Sequence, residues 1–187
     1  VNQNIENQLR GILDRYKTSF SEKVYQEENE VYDVLMDVFG ITPGLKRENR
    51  QYWGRELGMC WQMLVCKLFE LHCDDFLPAI RIGGDGPCDC IVGKDVINTK
   101  YRIGSGNSGT LKKLKQYGEF FKQQNLNPVL LIVREDNLPA AITACKTGGW
   151  SVLTGRQTFE YIFEKTDFDL EKWLKNLKSN ESLNIER

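Results

Sequence analysis

The sequence predicts an α/β fold, a mixed sheet flanked by helices with an N-terminal helical extension. Short runs rich in branched and aromatic residues (LPAIRIG, CDCIVG, VINTKYRIG, PVLLIVRE, WSVLTG) alternate with longer stretches whose apolar residues recur at helical spacing. Gly and Pro punctuate the junctions between them. A chain of 187 residues, 41% hydrophobic and 27% charged, has the composition of a globular protein with one well-buried core and is too short for two ordinary domains.

The first forty residues read as helices, from Ile5, Leu9, Ile12, Leu13 and Tyr16 and then Val31, Val34, Leu35, Val38 and Phe39. Gly40, Pro43 and Gly44 end that region, and a basic connector (LKRENRQ) leads into the strongest helical pattern, residues 51–73. There Trp53, Leu57, Trp61, Leu64, Val65, Leu68 and Phe69 make a broad apolar stripe. The strand runs beginning at Leu77 and Cys88 follow, and Gly93, Lys94 and Asp95 suit a tight hairpin into VINTKYRIG. GSGNSGT is a loop in which Ser108 or Thr110 is available to cap a helix over 111–124. PVLLIVRE, apolar without alternation, reads as a strand buried on both faces. LPAAITACKTGG is helical and stops at paired glycines, WSVLTG is a strand, and helices over 156–165 and 169–178 close the pattern. This divides the chain into a helical extension (1–45), a core (46–180) and a polar tail (181–187), one domain overall.

The net charge of -1 does not advertise a nucleic-acid coat, but its distribution is uneven. Lys100, Arg102, Lys112, Lys113, Lys115 and Lys122 face a single acid, Glu119, whereas the first forty residues are acid-rich. This pattern fits one anion-facing surface on a near-neutral protein. No apolar stretch approaches eighteen residues, and the N-terminus is not a basic region followed by an apolar run, so a cytoplasmic protein is expected, with no membrane partner. Cysteines 60, 66, 73, 88, 90 and 145 contain no C-x-x-C pair and read as free thiols; a zinc site from His72, Cys73, Cys88 and Cys90 matches no familiar spacing.

The residues with the most chemistry lie on the hairpin: Asp89, then Asn98 and Lys100, spaced D-x8-N-x-K. Residues two apart on a strand project to one face, and a tight hairpin brings Asp89 alongside. A carboxylate and an amide oxygen suit a hard divalent cation, and a lysine beside them suits the charge that develops when a phosphodiester is attacked. A single histidine, His72, disfavours histidine-based nuclease chemistry.

Pro87-Cys88-Asp89 followed by Asn98-Thr99-Lys100 resembles the PD-(D/E)xK motif of type II restriction endonucleases and related nucleases. The resemblance implies an α-β-β-β-α-β restriction-endonuclease-like core over about residues 51–154. It implies catalysis by Asp89, Lys100, Glu56 and Asn98, with Mg2+ held by Asp89, Glu56 and Asp85. Glu56 matches an acid that such enzymes often carry on the preceding helix. Asn98 departs from the usual Glu or Asp, which moves weight onto Glu56 and Asp85. Arg102, Ser105, Asn107, Ser108, Lys112, Lys113 and Gln116, with Tyr117 nearby, are then the expected DNA contacts, and the glycine-rich loop leading into a helix offers backbone N–H groups to a phosphate. The expected activity is Mg2+-dependent hydrolysis of double-stranded DNA in a restriction system. Little of the chain is left for a dedicated recognition module, which suggests the cleavage subunit of a heteromeric type IIS enzyme whose second subunit reads the sequence. The alternatives are a self-sufficient homodimeric type IIP enzyme and, from another class, an inactive nuclease-like module that binds DNA or protein.

Overall fold

A computed structural model describes residues 3–21, 33–48, 50–81, 84–104, 108–179 and 183. Four helices come first: α1 (Gln3–Ser21), α2 (Val34–Phe39), α3 (Pro43–Glu48) and α4 (Arg50–His72). Asp33 starts α2 by accepting from the amides of Leu35 (3.0 Å) and Met36 (3.1 Å), and Gly40 ends it in the left-handed region at φ +63°. The remaining elements are β1 (Phe76–Pro78), β2 (Cys90–Val92), β3 (Asp95–Lys100), α5 (Ser108–Gln123), β4 (Asn127–Ile132), α6 (Pro139–Thr147), β5 (Ser151–Thr154), α7 (Arg156–Thr166) and α8 (Leu170–Ser179).

The five strands form one mixed sheet in the order β1-β2-β3-β4-β5. The first three are antiparallel; β3, β4 and β5 run parallel, connected by α5 and α6. Val92 pairs with Asp95, leaving a two-residue turn at Gly93 and Lys94, and Gly93 supplies the positive φ (+58°) that such a turn requires. Of the expected strand LPAIRIG, Ile82 and Gly83 lie outside the described residues; among the described ones pairing covers Phe76–Pro78 only, because β2 offers three residues and Pro78 has no N–H to extend the ladder.

Alternation along the strands divides the core in two. Cys90, Val92, Ile97, Val129 and Leu131 pack towards α4 and α7, in a cluster that continues through Trp53, Leu64 and Phe69 to Leu9 and Leu13 of α1. Ile91, Val96, Leu130 and Ile132 pack towards Leu114, Phe121 and Ala141 of α5 and α6. β4 is thus buried on both faces, which is why its sequence does not alternate. The indole N–H groups of Trp53, Trp61 and Trp150 donate to backbone carbonyls of Leu45, Leu131 and Leu114, so these rings are satisfied core residues. Gly118 lets α5 approach the end of α6, where an added Cβ would lie 2.3 Å from the carbonyl oxygen of Gly148.

By the same alternation Asn98 and Lys100 share the face of Val96, towards α5 and α6, while Thr99 lies on the α4 face with Ile97 and Tyr101.

Candidate active site

β2 starts at Cys90, opposite Ile97, so the chain just before it runs beside the second half of β3 without strand pairing. One backbone bond and several side-chain bonds join the two segments instead. The Asp89 amide donates to Ile97 O (2.8 Å), and the Asp89 carboxylate Oδ2 accepts from the Thr99 amide (2.6 Å) and hydroxyl (2.8 Å). Asn98 donates from Nδ2 to Pro87 O (3.3 Å). The Pro87-Cys88-Asp89 segment is therefore fastened along Asn98-Thr99-Lys100, and the three residues singled out on the hairpin do come together.

What they leave open matters chemically. Asn98 Oδ1 is buried with no hydrogen-bond partner, a deficit that ordinarily costs about 1–3 kcal/mol. Asp89 Oδ1 receives no hydrogen bond from a described residue, because both Thr99 donors go to Oδ2. The Lys100 ammonium makes no hydrogen bond or ion pair among the described residues, although it is largely withdrawn from solvent. Burial pulls its pKa below the ordinary lysine value, and the Asp89 charge partly offsets the fall. Acceptor oxygens and an ammonium left without partners among the described residues are costly in a folded chain unless a ligand completes them.

Glu56 is placed elsewhere. Gly58 of α4 faces the end of β3, 3.7 Å from Tyr101 Cβ by its would-be side chain. Glu56, two positions and about 200° earlier on the helix, points instead towards α1, where its charge acts on Tyr16, and it pairs with Arg55 at 2.9 Å. Asp85 is taken up by α5: both its oxygens accept from Lys113 Nζ (2.9 and 2.8 Å), and Oδ2 also accepts from Tyr117 OH (2.7 Å). The Lys113 hydrogen bond, with that of Tyr117, holds the Asp85 carboxyl below its usual pKa. Among the described residues no three His, Cys, Asp or Glu side chains form a metal-binding group. The open oxygens of Asp89 and Asn98 do fit Mg2+, which takes one or two protein oxygens and keeps waters and substrate oxygens for the rest of its shell.

Of the expected DNA contacts, Lys112 and Gln116 are exposed, one turn apart on α5. Lys113 faces solvent while bound to Asp85. Arg102 is turned inward, its Nε 2.8 Å from both the backbone oxygen and Oδ2 of Asp136. Ser105 and Asn107, and the side chain of Ser108, lie outside the described residues.

A second polar cluster, not anticipated from the sequence, adjoins the first. Tyr101, directly after Lys100, donates to Asp33; Arg134, two residues beyond β4, reaches Asp33 (3.2 Å), Tyr101 OH (3.4 Å) and Asp136 (2.6 Å). Lys46 of α3 completes it, 3.3 Å from Tyr101 OH and 5.2 Å from the ring centroid. Lys46 and Arg134 are both buried. Burial, then the neighbouring Arg134 charge, lowers the Lys46 pKa from 10.5 to about 8. This cluster fastens the N-terminal helices to the ends of β3 and β4. Its only sequence signals were Asp33 in a helix N-cap position and a charged Arg134 directly after an apolar run.

Compared with known proteins, the chain matches no protein-family model, no curated protein and no solved structure. No helix among the described residues is long and apolar enough to cross a membrane.

Proposed function

We propose that this chain is a Mg2+-dependent DNA endonuclease built on a restriction-endonuclease-like core. The observation that carries the reading is that one hairpin holds three groups without a partner among the described residues: Asp89 Oδ1, the buried Asn98 Oδ1 and the Lys100 ammonium. The order helix, three antiparallel strands, helix, parallel strand supports the same core, as does the exposed Lys112–Gln116 face of α5.

In this reading Asp89 and Asn98 hold the cation from its protein side. The bound Mg2+ supplies Lewis-acid polarisation of a phosphate oxygen and a more acidic water. Lys100 orients the attacking water and balances negative charge as it builds on the phosphate; with no partner among the described residues, its ammonium is free for that work. Lys112 and Gln116 meet the DNA backbone, which positions the duplex without reading its sequence. The chain is near-neutral overall, with a net charge of -1, so in this reading sequence recognition falls to a second subunit, as in a heteromeric type IIS enzyme.

The test is incubation of the pure chain with supercoiled plasmid and Mg2+, with and without a candidate recognition subunit. Strand cleavage that needs the partner and stops with EDTA supports the reading. Site-specific double-strand cutting by the chain alone favours a self-sufficient homodimer. A second reading, an inactive nuclease-like binding module, draws on the absence, among the described residues, of a metal-binding group of three His, Cys, Asp or Glu side chains and on the orientation of Glu56 towards α1. DNA binding without cleavage under every one of these conditions would support it.

A further inference from the structure

We propose that Thr99, the unassigned middle residue of the Asn98-Thr99-Lys100 run, is a positioning residue that makes Asp89 a one-oxygen ligand for Mg2+. The proposal rests on the reading of Asp89 as a cation ligand and specifies how that ligand is held.

The Thr99 amide lies beyond the reach of β2, whose pairing stops at Cys90 opposite Ile97. A backbone N–H left unpaired in a buried position is costly, and here the Asp89 carboxylate takes the place of a strand carbonyl. The Thr99 hydroxyl, buried on the α4 face, donates to the same oxygen at 2.8 Å. Two donors on Oδ2 fix the plane of the carboxylate. The backbone of Asp89 is held as well, by Ile97 O on its N–H and by the Cys66 thiol, 3.7 Å from its carbonyl oxygen. Among the described residues only Oδ1 is left without a donor.

A carboxylate immobilised in this way cannot swing to chelate through both oxygens. Mg2+ demands near-ideal octahedral geometry with short single-oxygen bonds, whereas Ca2+ accepts bidentate carboxylates in a looser shell. Thr99 therefore selects for the smaller ion. Thr99→Val removes the hydroxyl while keeping the branched shape and the amide, and releases half of the restraint. The backbone donor stays, so the carboxylate loosens without leaving the site.

The experiment is isothermal titration of the full chain with Mg2+ and, separately, Ca2+, for wild type, Thr99→Val, Thr99→Ser and Asp89→Asn. Groups that orient a metal ligand typically contribute 10–100-fold to affinity. We expect Thr99→Val to weaken Mg2+ about 10-fold while Ca2+ changes less, and Thr99→Ser to stay within about 2-fold of wild type for both. Thr99→Ala, carrying the same expectation, replaces Thr99→Val if the latter does not fold by circular dichroism. Equal losses for both ions, or none, would overturn the positioning role. If Asp89→Asn binds Mg2+ as wild type does, the reading of Asp89 as a ligand falls first, and the role of Thr99 falls with it.

Discussion

Lys100 separates a functional lysine from a structural one, and Lys100→Met is the substitution that tells them apart. The stem of methionine follows that of lysine, so the packing beside Ile132, its neighbour across the β3–β4 ladder, changes little. What disappears is an ammonium largely withdrawn from water, with no ion pair among the described residues to offset its desolvation and a pKa lowered by burial. Asp89 does not become an orphan, since its Oδ2 keeps two hydrogen bonds from Thr99. Replacing poorly compensated buried charge by apolar side chains commonly stabilises by 1–4 kcal/mol, and here the attraction of Asp89 offsets part of the gain. We expect about 1–2 kcal/mol of added stability, a Tm rise of roughly 3–6 °C for a chain of this size, together with loss of DNA cleavage. Urea unfolding and plasmid cleavage on the same preparation measure both. A Lys100→Met protein that is destabilised by 1 kcal/mol or more would refute the reasoning, because the ammonium would then be serving the fold.

Three further predictions test other parts of the account. Asp85→Asn breaks an exposed ion pair, so stability changes by less than about 1 kcal/mol, but it frees Lys113 for phosphate; non-specific duplex affinity should rise several-fold and the salt slope should steepen by about 0.9, measured by fluorescence anisotropy across a salt series. Gly118→Ala gains about 1 kcal/mol of helix propensity but drives a Cβ against the Gly148 carbonyl, which is backbone and cannot yield, so a net loss of about 1–3 kcal/mol is expected in thermal or urea unfolding. Lys46, at about 8 in the folded chain against 10.5 when unfolded, binds fewer protons folded than unfolded between those values. Its contribution to stability should rise with pH across that window by up to about 3 kcal/mol, until the raised pKa of Tyr101 reverses the trend above pH 10. Lys46→Met should flatten the rise between pH 7.5 and 9.5, and an unchanged slope would mean that Lys46 is not the group responsible.

Much of the architecture could be read from the chain because the signals were local. β4 declared itself by an unbroken apolar run, and the β2–β3 hairpin by a glycine in the turn, which is why Asp89, Asn98 and Lys100 could be brought together on paper. The reach of β1 could not be read, since the strand signal of LPAIRIG says nothing of how many residues its neighbour presents. Glu56 was misplaced for a related reason. α4 is buried around most of its girth, between the sheet and α1, so hydropathy marks a wide stripe without telling which side meets the sheet. Thr99 and the cluster of Lys46, Arg134 and Asp33 depend on contacts between residues far apart in sequence, and a buried charge leaves no periodic trace. The double role of Asp85 and Lys113, each expected to bind something else, is likewise visible only in three dimensions.

The central claim, that Asp89 and Lys100 cut DNA, is tested most directly by cleavage of end-labelled duplex with Mg2+ by wild type, Asp89→Ala and Lys100→Ala, each with any partner subunit that wild type requires. The account predicts cleavage by wild type and a loss of at least about 100-fold in each variant, as expected when a group stabilising the transition state is removed, with duplex binding retained. Cleavage by either variant at the wild-type rate would contradict it.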